Sequence, residues 1–145
     1  MPVRGARSTK QPSFVAILVE DGTGRPVDTR KHPGEWTAED EVRLGQLTAH
    51  VARIALTEPP GERTRISLSK IEVDDRVYLV GLGAGLRVGA LVRTRTSRRF
   101  QKRIMAGLRM IASAEQLRRK TGRPPVGPVS PENLIAWILE GASEG

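Results

Sequence analysis

The chain has 145 residues, a formal net charge of +8 and no cysteine. Its length suits one domain with a substantial core, and the lack of cysteine excludes disulfides, thiolate catalysis and cysteine-ligated zinc. Aromatic residues are few, which disfavours a base-stacking platform for single-stranded nucleic acid. No run approaches the ~20 apolar residues that span a bilayer, and the N-terminus lacks the apolar core of a signal peptide. We therefore expect a cytoplasmic protein.

The N-terminal part of the chain predicts a flexible basic tail over residues 1–12, followed by a hairpin. Residues 14–19 form a continuous apolar run of strand length. Asp21–Gly24 follow, and these residue types tolerate positive φ and favour a turn. A short polar strand that begins at Pro26 completes the hairpin, and its polarity places it at the edge of a sheet.

A long amphipathic helix is predicted over residues 37–56. Thr37 is a suitable N-cap, and Asp40 stands three residues later, where its carboxylate can reach back to the cap. Acidic residues in the first turn suit the positive end of the helix dipole. Apolar residues then recur at helical spacing, at Leu44, Leu47, Val51 and Ile54.

The segment 63–73 alternates polar and apolar residues, as a strand does, but its phase slips. The apolar residues are even-numbered at first and odd-numbered later: Ile66, Leu68, Ile71 and Val73. A β-bulge near Ser69–Lys70 would put all four on one face of the sheet. Without such a bulge the strand would have no single apolar face.

Two further strands are predicted over residues 77–80 and 86–92, joined by a tight turn at Gly83–Gly85. The run Val80–Gly85 suggests a dinucleotide-binding fingerprint, but Leu86 stands where the third glycine belongs. An apolar strand follows where that motif needs a helix, and no acidic residue lies about 20 positions on to bind a ribose. We interpret the run as a glycine-rich hairpin.

A second long helix is predicted from an N-cap at Ser97 to about Lys120. Its apolar stripe consists of Phe100, Ile104, Leu108 and Ile111, with Leu117 as a less regular extension. Residues 122–129 form a linker rich in proline and glycine, and Ser130–Glu132 would open a short C-terminal helix. We expect this helix to dock on its own domain.

This order of elements predicts the α+β class: a five-stranded antiparallel sheet flanked by two long helices, within one domain over residues 13–121. Nothing in the sequence favours catalysis. His32 and His50 have no ligand or base at a suitable spacing, and no nucleophile motif surrounds any serine. We expect no enzyme activity, no metal and no cofactor.

Basic residues concentrate in the second half of the chain. Residues 87–123 hold 12 of the 24 basic residues and one of the 16 acidic residues, a net charge of +11, whereas the rest sums to −3. Several cations stand at the start of the second helix, where they oppose the helix dipole, and a bound anion would offset that cost. The predicted anion- or partner-binding cluster is Arg93, Arg95, Arg98, Arg99, Lys102 and Arg103.

The order of elements, with the run from Phe14 to Val27 and the helix over 37–56, resembles the roadblock family of profilin-like modules. The resemblance covers residues 13–120 and is one of pattern. Many roadblock modules begin with a helix, which residues 1–12 are too short and polar to form, and this chain has the extension 122–145 instead. The resemblance implies a non-enzymatic homodimeric adaptor, of the kind that often serves small Ras-like GTPases.

Roadblock modules typically dimerise through the first long helix and the strand after it, which implies an interface here over 37–56 and 63–73. Its predicted apolar residues are Leu44, Leu47, Val51, Ile54, Ile66 and Leu68. Two alternatives remain open at this point. One is a nucleic-acid-binding protein that contacts phosphates through the arginine cluster, and the other is a GAF- or PAS-like sensor of small molecules.

Overall fold

The structure is a computed structural model that describes residues 14–32, 34–56, 66–123 and 129–142. The predicted tail over 1–12 and residues 124–128 of the predicted linker lie outside this part of the chain. The strands are β1 (Phe14–Asp21), β2 (Pro26–Lys31), β3 (Ser67–Val73), β4 (Arg76–Gly83) and β5 (Leu86–Arg93). The helices are α1 (Ala38–Leu56), α2 (Ser97–Thr121), which follows a 3-10 turn at Thr94–Thr96, and α3 (Leu134–Ala142).

The strands form one antiparallel sheet in the order β2–β1–β5–β4–β3. The α+β class and the five-stranded sheet with two long helices and a short C-terminal helix are therefore confirmed. β1 and β2 form the predicted hairpin, and β2 lies at an edge as its polarity predicts. β3 forms the other edge, so its outer side pairs with no strand in the described part of the chain.

Helices cover the two faces of the sheet unequally. One face packs against both α2 and α3, and its core includes Ile17, Leu79 and Val88. The other face packs against α1 alone, through a smaller core with Tyr78, Val80 and Leu91. Four strand spacings make the sheet about 19 Å wide, whereas a helix with its side chains is about 10 Å across. A single helix therefore leaves part of its face uncovered.

β3 contains no bulge, and the predicted one near Ser69–Lys70 is wrong. The strand pairs with β4 in unbroken register from Ser67 to Val73. The slip in the apolar pattern arises because this segment contributes apolar side chains to both faces of the sheet. Ile66 and Leu68 pack against the core beneath α2, whereas Val73 packs against the core beneath α1.

The glycine-rich run is a hairpin between β4 and β5, as predicted. Ala84 and Gly85 have φ of 55° and 74° and form the turn between the paired residues Gly83 and Leu86. Positive φ at both turn residues matches the twist of the adjoining strands. Within β4, a Cβ at Gly81 would approach Ile104 Cγ2 to 2.8 Å, so this glycine lets α2 lie close to the sheet.

α2 ends at Thr121, close to the predicted Lys120, but it differs from its prediction in its N-cap and in its last apolar residue. Its N-cap is Thr96 rather than Ser97, no side chain caps it, and Ser97 Oγ instead accepts a hydrogen bond from Gln101 at 2.9 Å. Phe100, Ile104, Leu108 and Ile111 are buried as predicted, but Leu117 is 58% exposed. No residue of α2 beyond Ile111 is buried, so Leu117 has no core to extend.

α3 docks on its own domain, which confirms the expectation. Leu134, Ile135 and Ile138 are fully buried, and they join the core formed by α2 and the sheet. Close approach to α2 depends on Gly107, where a Cβ would come within 2.6 Å of Leu134 Cδ1. The helix begins at Leu134, three residues later than predicted, because residues 131–133 form a turn before it.

Candidate functional site

The predicted arginine cluster does not lie on one surface. Arg93 is buried at the end of β5, where its guanidinium donates to Glu35 Oε2 at 2.8 Å and lies 3.6 Å from Asp75. The opposite charges offset part of the cost of burying this cation, whose Nε has no hydrogen-bond partner in the described structure. Arg93 therefore joins the loop before α1 to the β3–β4 turn.

Arg103 is likewise engaged within the fold. Its guanidinium carbon lies 3.4 Å from the centroid of the Trp137 ring, and the same group donates a hydrogen bond to the Trp137 carbonyl. It passes over Gly141, where a Cβ would overlap the guanidinium. Arg103 thus holds α3 against α2.

The exposed cations of the predicted cluster are Arg95, Arg98, Arg99 and Lys102. At 100° per residue, Arg98, Lys102, Arg109 and Lys120 project from nearly the same side of α2, opposite its buried stripe. We call these four residues the basic row. It extends about 33 Å along the helix. Glu115, the single acid of α2, forms an ion pair with Arg118 rather than with the row.

Two apolar side chains border the basic row. Met110 is 36% exposed and Leu117 is 58% exposed, and they are seven residues apart, so they share one side of α2. The outer surface of α2 therefore combines cations with exposed apolar groups. Methionine and arginine are enriched in protein interfaces, whereas phosphate contacts need only donors and positive charge.

A buried carboxylate at the start of α1 organises a second charged group of residues. Asp40 and Thr37 form a reciprocal capping box, with Thr37 N to Asp40 Oδ2 at 3.0 Å and Asp40 N to Thr37 Oγ1 at 3.1 Å. Tyr78 donates its hydroxyl to Asp40 Oδ1 at 2.7 Å, and Arg76 donates to Oδ2 at 3.0 Å. The sequence predicts the cap but not the bonds from β4.

These contacts set the ionisation of Asp40. Burial alone would raise the pKa of this carboxyl, but hydrogen bonds from Tyr78 and Thr37 and the charge of Arg76 outweigh it and hold the pKa below its usual value. Burial also raises the pKa of Tyr78, and its bond to Asp40 acts in the same direction. The pair is therefore a carboxylate and a neutral phenol at physiological pH.

The predicted dimerisation residues occupy different environments. Leu44, Leu47 and Val51 are buried against the protomer's own sheet, and Ile66 and Leu68 pack against the core beneath α2. Only Ile54 is exposed, at 49%. Residue type and spacing predict an apolar stripe, but they do not show which of its residues are buried within the protomer and which are exposed to a partner.

A groove of about 330 Å³ lies between α1 and β3, on the sheet face that α1 leaves partly uncovered. We call it the β3 groove. Its lining includes Arg43, Gln46 and His50 from α1, and Ile71 and Val73 from β3. Ile71 is 48% exposed, and the neighbouring outer edge of β3 carries unpaired backbone groups in the described structure. An open strand edge of this kind is a template for pairing with another strand.

A second cavity, of about 420 Å³, lies on the opposite side of α1, above β1 and β2. α1 thus runs between two depressions on the same face of the sheet. The described residues contain no group of three or more histidine, aspartate or glutamate side chains that could hold a metal ion.

The described helices include none that combines the length and the apolarity needed to cross a membrane. No protein-family model and no curated protein matches the chain.

Proposed function

We propose that the protein is a non-enzymatic homodimeric adaptor of the roadblock type, which acts in the cytoplasm. Two protomers pair through the edge strand β3 and the groove beside it, and a protein partner docks on the basic row of α2. The observation that carries the proposal is the open edge of β3 next to exposed Ile71. Strand addition at such an edge supplies main-chain hydrogen bonds without any change of fold.

The sequence of β3 is self-complementary in one antiparallel register. If a two-fold axis passes through Ile71, Lys70 lies opposite Glu72 of the partner subunit, and Glu72 lies opposite Lys70 of the partner subunit. Directly opposed residues share a face, and opposite charges there stabilise the pair. An axis moved by one residue to Lys70 or to Glu72 would place like charges opposite each other, which is unfavourable.

The same register joins the two β3 grooves. Ile71 of each protomer lies at the axis, on the face that carries α1, since its antiparallel neighbour Tyr78 faces α1. The two Ile71 side chains would then cover one another. Arg43 and His50 from each α1 border this contact. Pairing would extend the five-stranded sheet of one protomer into ten strands.

Charge reversal tests this register. Lys70→Glu places acids opposite acids in the homodimer, and Glu72→Lys places lysines opposite lysines, so each variant should shift towards monomer. A mixture of the two variants restores opposite charges at every contact and should form a heterodimer. Light scattering gives the mass of each species. Native mass spectrometry of the mixture, with one of the two variants labelled with nitrogen-15, separates the heterodimer from either homodimer.

The outcome distinguishes the proposed interface from any other. Arg30→Glu on β2, an exposed change at the opposite edge of the sheet, is the control and should leave the dimer intact. A wild-type protein that is monomeric at tens of micromolar (a range chosen from the affinity scale) would refute the homodimer. Single variants that dimerise as the wild type does would refute pairing through β3.

The partner surface is proposed on the outer side of α2. Arg98, Lys102 and Arg109 are exposed there, with Met110 and Leu117 beside them. A protein with an acidic surface and an apolar patch would satisfy both features, whereas nucleic acid would use the cations alone. The resemblance to the roadblock family makes a small Ras-like GTPase the first partner to test.

The position of α3 supports this resemblance. α3 packs beside α2 and against the sheet, and its apolar residues complete the core on that face. Without it, Gly107 and the adjoining surface of α2 would be uncovered. The C-terminal extension therefore provides a second helix on the α2 face.

A further inference from the structure

The second cavity beside α1 has an apolar floor and a charged rim. Leu18 and Gly89, which are paired neighbours on β1 and β5, lie at its base, with Leu44 of α1 and Trp36 around it. Its volume of about 420 Å³ falls within the range of small-molecule sites, roughly 300–1,000 Å³. It lies on the far side of α1 from the proposed dimer interface.

Four ionisable groups of balanced charge surround this cavity. They are Glu20, Glu41, Lys31 and Arg87. Among the described residues none of the four forms an ion pair with another member of the set. The Lys31 ammonium instead lies 5.2 Å from the centroid of the Trp36 ring.

The arrangement of Glu20 and Arg87 is unusual for opposite charges. They are direct cross-strand neighbours on β1 and β5, a position in which opposite charges normally pair. Arg87 instead donates to the Gly22 carbonyl at 3.3 Å in the β1–β2 turn. The Glu20 carboxylate therefore borders the cavity without a hydrogen bond or ion pair to any described residue.

The charges lie at two ends of the cavity. Glu20 and Arg87 mark one end, and Lys31, opposite Ala16 on β1, marks the other, together with Trp36. Glu20 and Ala16 are four residues apart on β1, a separation of about 13 Å. The rim thus offers a carboxylate and a cation side by side at one end, with an apolar surface that leads from them towards Lys31 and Trp36.

From this geometry we propose that the cavity binds an amino-acid-like zwitterion, whose ammonium pairs with Glu20 and whose carboxylate pairs with Arg87, the cross-strand neighbour of Glu20. Its apolar body rests on Leu18 and Trp36. Because the rim carries equal numbers of both charges, a nucleotide or other polyanion would meet the two glutamates and bind less well. The proposal does not depend on dimerisation or on the basic row.

Gly45 provides a direct test, since it lines the cavity and an added Cβ there meets no atom within 4 Å. Gly45→Leu should fill the cavity, whereas Gly45→Ala adds a single methyl group and serves as the matched control. Both replace a helical glycine and should maintain or raise helix stability. Circular dichroism and thermal unfolding confirm that each variant is folded.

Binding is measured by calorimetry with each of the twenty common free L-amino acids as probes. We expect at least one amino acid with an apolar side chain to bind the wild type and Gly45→Ala with equal affinity. The same amino acid should bind Gly45→Leu at least ~10-fold more weakly, because the leucine side chain takes up the space of the ligand and displaces it from its charge-assisted contacts. Glu20→Gln should weaken the binding of that amino acid but should leave unchanged the binding of its analogue without the amino group.

Three results would overturn the proposal. Binding of none of the twenty amino acids to the wild type excludes the ligand class. Equal affinity for the wild type and Gly45→Leu excludes the cavity. Equal affinity for an amino acid and its analogue without the ammonium group excludes recognition by Glu20.

Discussion

The guanidinium of Arg103 lies 3.4 Å from the centroid of the Trp137 ring, and this contact joins α2 to α3 across Gly141. Arg103 also donates to the Trp137 carbonyl. A cation over an indole ring contributes about 0.5–2 kcal/mol, more when water is excluded. The side chain is therefore a structural element of the C-terminal docking rather than a free surface cation.

Gly141→Ala tests this contact through a double-mutant cycle with Arg103→Ala. In the wild-type background the new methyl group must displace Arg103 from Trp137, so the protein should be destabilised. With alanine at position 103 that obstacle is gone, and the same change should stabilise the helix by up to about 1 kcal/mol. Urea denaturation of the four proteins gives both effects, and equal signs would show that Arg103 does not occupy the space over Gly141.

Truncation of apolar side chains on α2 should destabilise the protein at the buried stripe but not at the exposed C-terminal end of the helix. Leu108 is fully buried, and Leu108→Ala should cost about 2–5 kcal/mol in the free energy of unfolding. Leu117→Ala serves as the control and should change stability by less than about 0.5 kcal/mol, because Leu117 is exposed. Denaturation midpoints compare the two, and similar losses would mean that α2 packs along its full length.

Asp40 should make stability depend on pH in the acidic range. Its pKa is lowered from 3.8 in the folded protein, so the carboxylate stabilises the fold above that value, and this contribution is lost as pH falls through the lowered pKa. Asp40→Asn should cost about 1–3 kcal/mol at neutral pH. The difference from the wild type should then shrink below pH ~4.

Chemical denaturation between pH 3 and 7 measures that difference. Glu140→Gln changes an exposed carboxylate on α3, so it serves as the control and should change stability by less than about 0.5 kcal/mol. If the wild type stays more stable than Asp40→Asn by a constant free energy of unfolding down to pH ~3, the stabilising role of the Asp40 carboxylate is contradicted, because its charged form would then not be the stabilising one.

The fold could be predicted from the sequence mainly where the signal is local. Periodicity gives the helices, and Thr37 with Asp40 gives the start of α1, because the capping partners are three residues apart. The role of Arg93 could not be predicted, since its partner Glu35 is 58 residues away in the chain. Charge identifies a cation, but only tertiary structure shows whether it is paired inside the fold.

β3 shows the same limit in apolar patterning. A change of phase in the alternation of apolar and polar residues indicates either a bulge or a strand that supplies apolar side chains to both faces of the sheet. The sequence cannot distinguish these possibilities, because the second depends on which helices cover each face. Here Leu68 and Val73 pack on opposite faces of a regular edge strand. The cavity beneath Gly45 was not predicted either, since it depends on the narrow cover that α1 gives to the sheet.

The basic row gives the last prediction. Arg98→Glu with Lys102→Glu should abolish partner binding while leaving the fold intact or slightly more stable, because acids suit the N-terminus of a helix. The control is the double change Arg25→Glu with Arg30→Glu on the β1–β2 hairpin, which alters the net charge by the same amount. Affinity capture from host extract, with mass spectrometry and a parallel duplex DNA assay, compares the three proteins.

Salt dependence then separates the two classes of partner. A protein partner should lose affinity only moderately with salt, because Met110 and Leu117 contribute apolar contact that salt does not screen. Duplex DNA should instead lose about 0.9 log units of affinity per contacted phosphate for each log unit of salt. A steep slope with DNA and no captured protein would replace the adaptor by a nucleic-acid-binding protein. Equal binding by the row variant and the control, to every partner recovered, would show that the basic row is only a solvated surface.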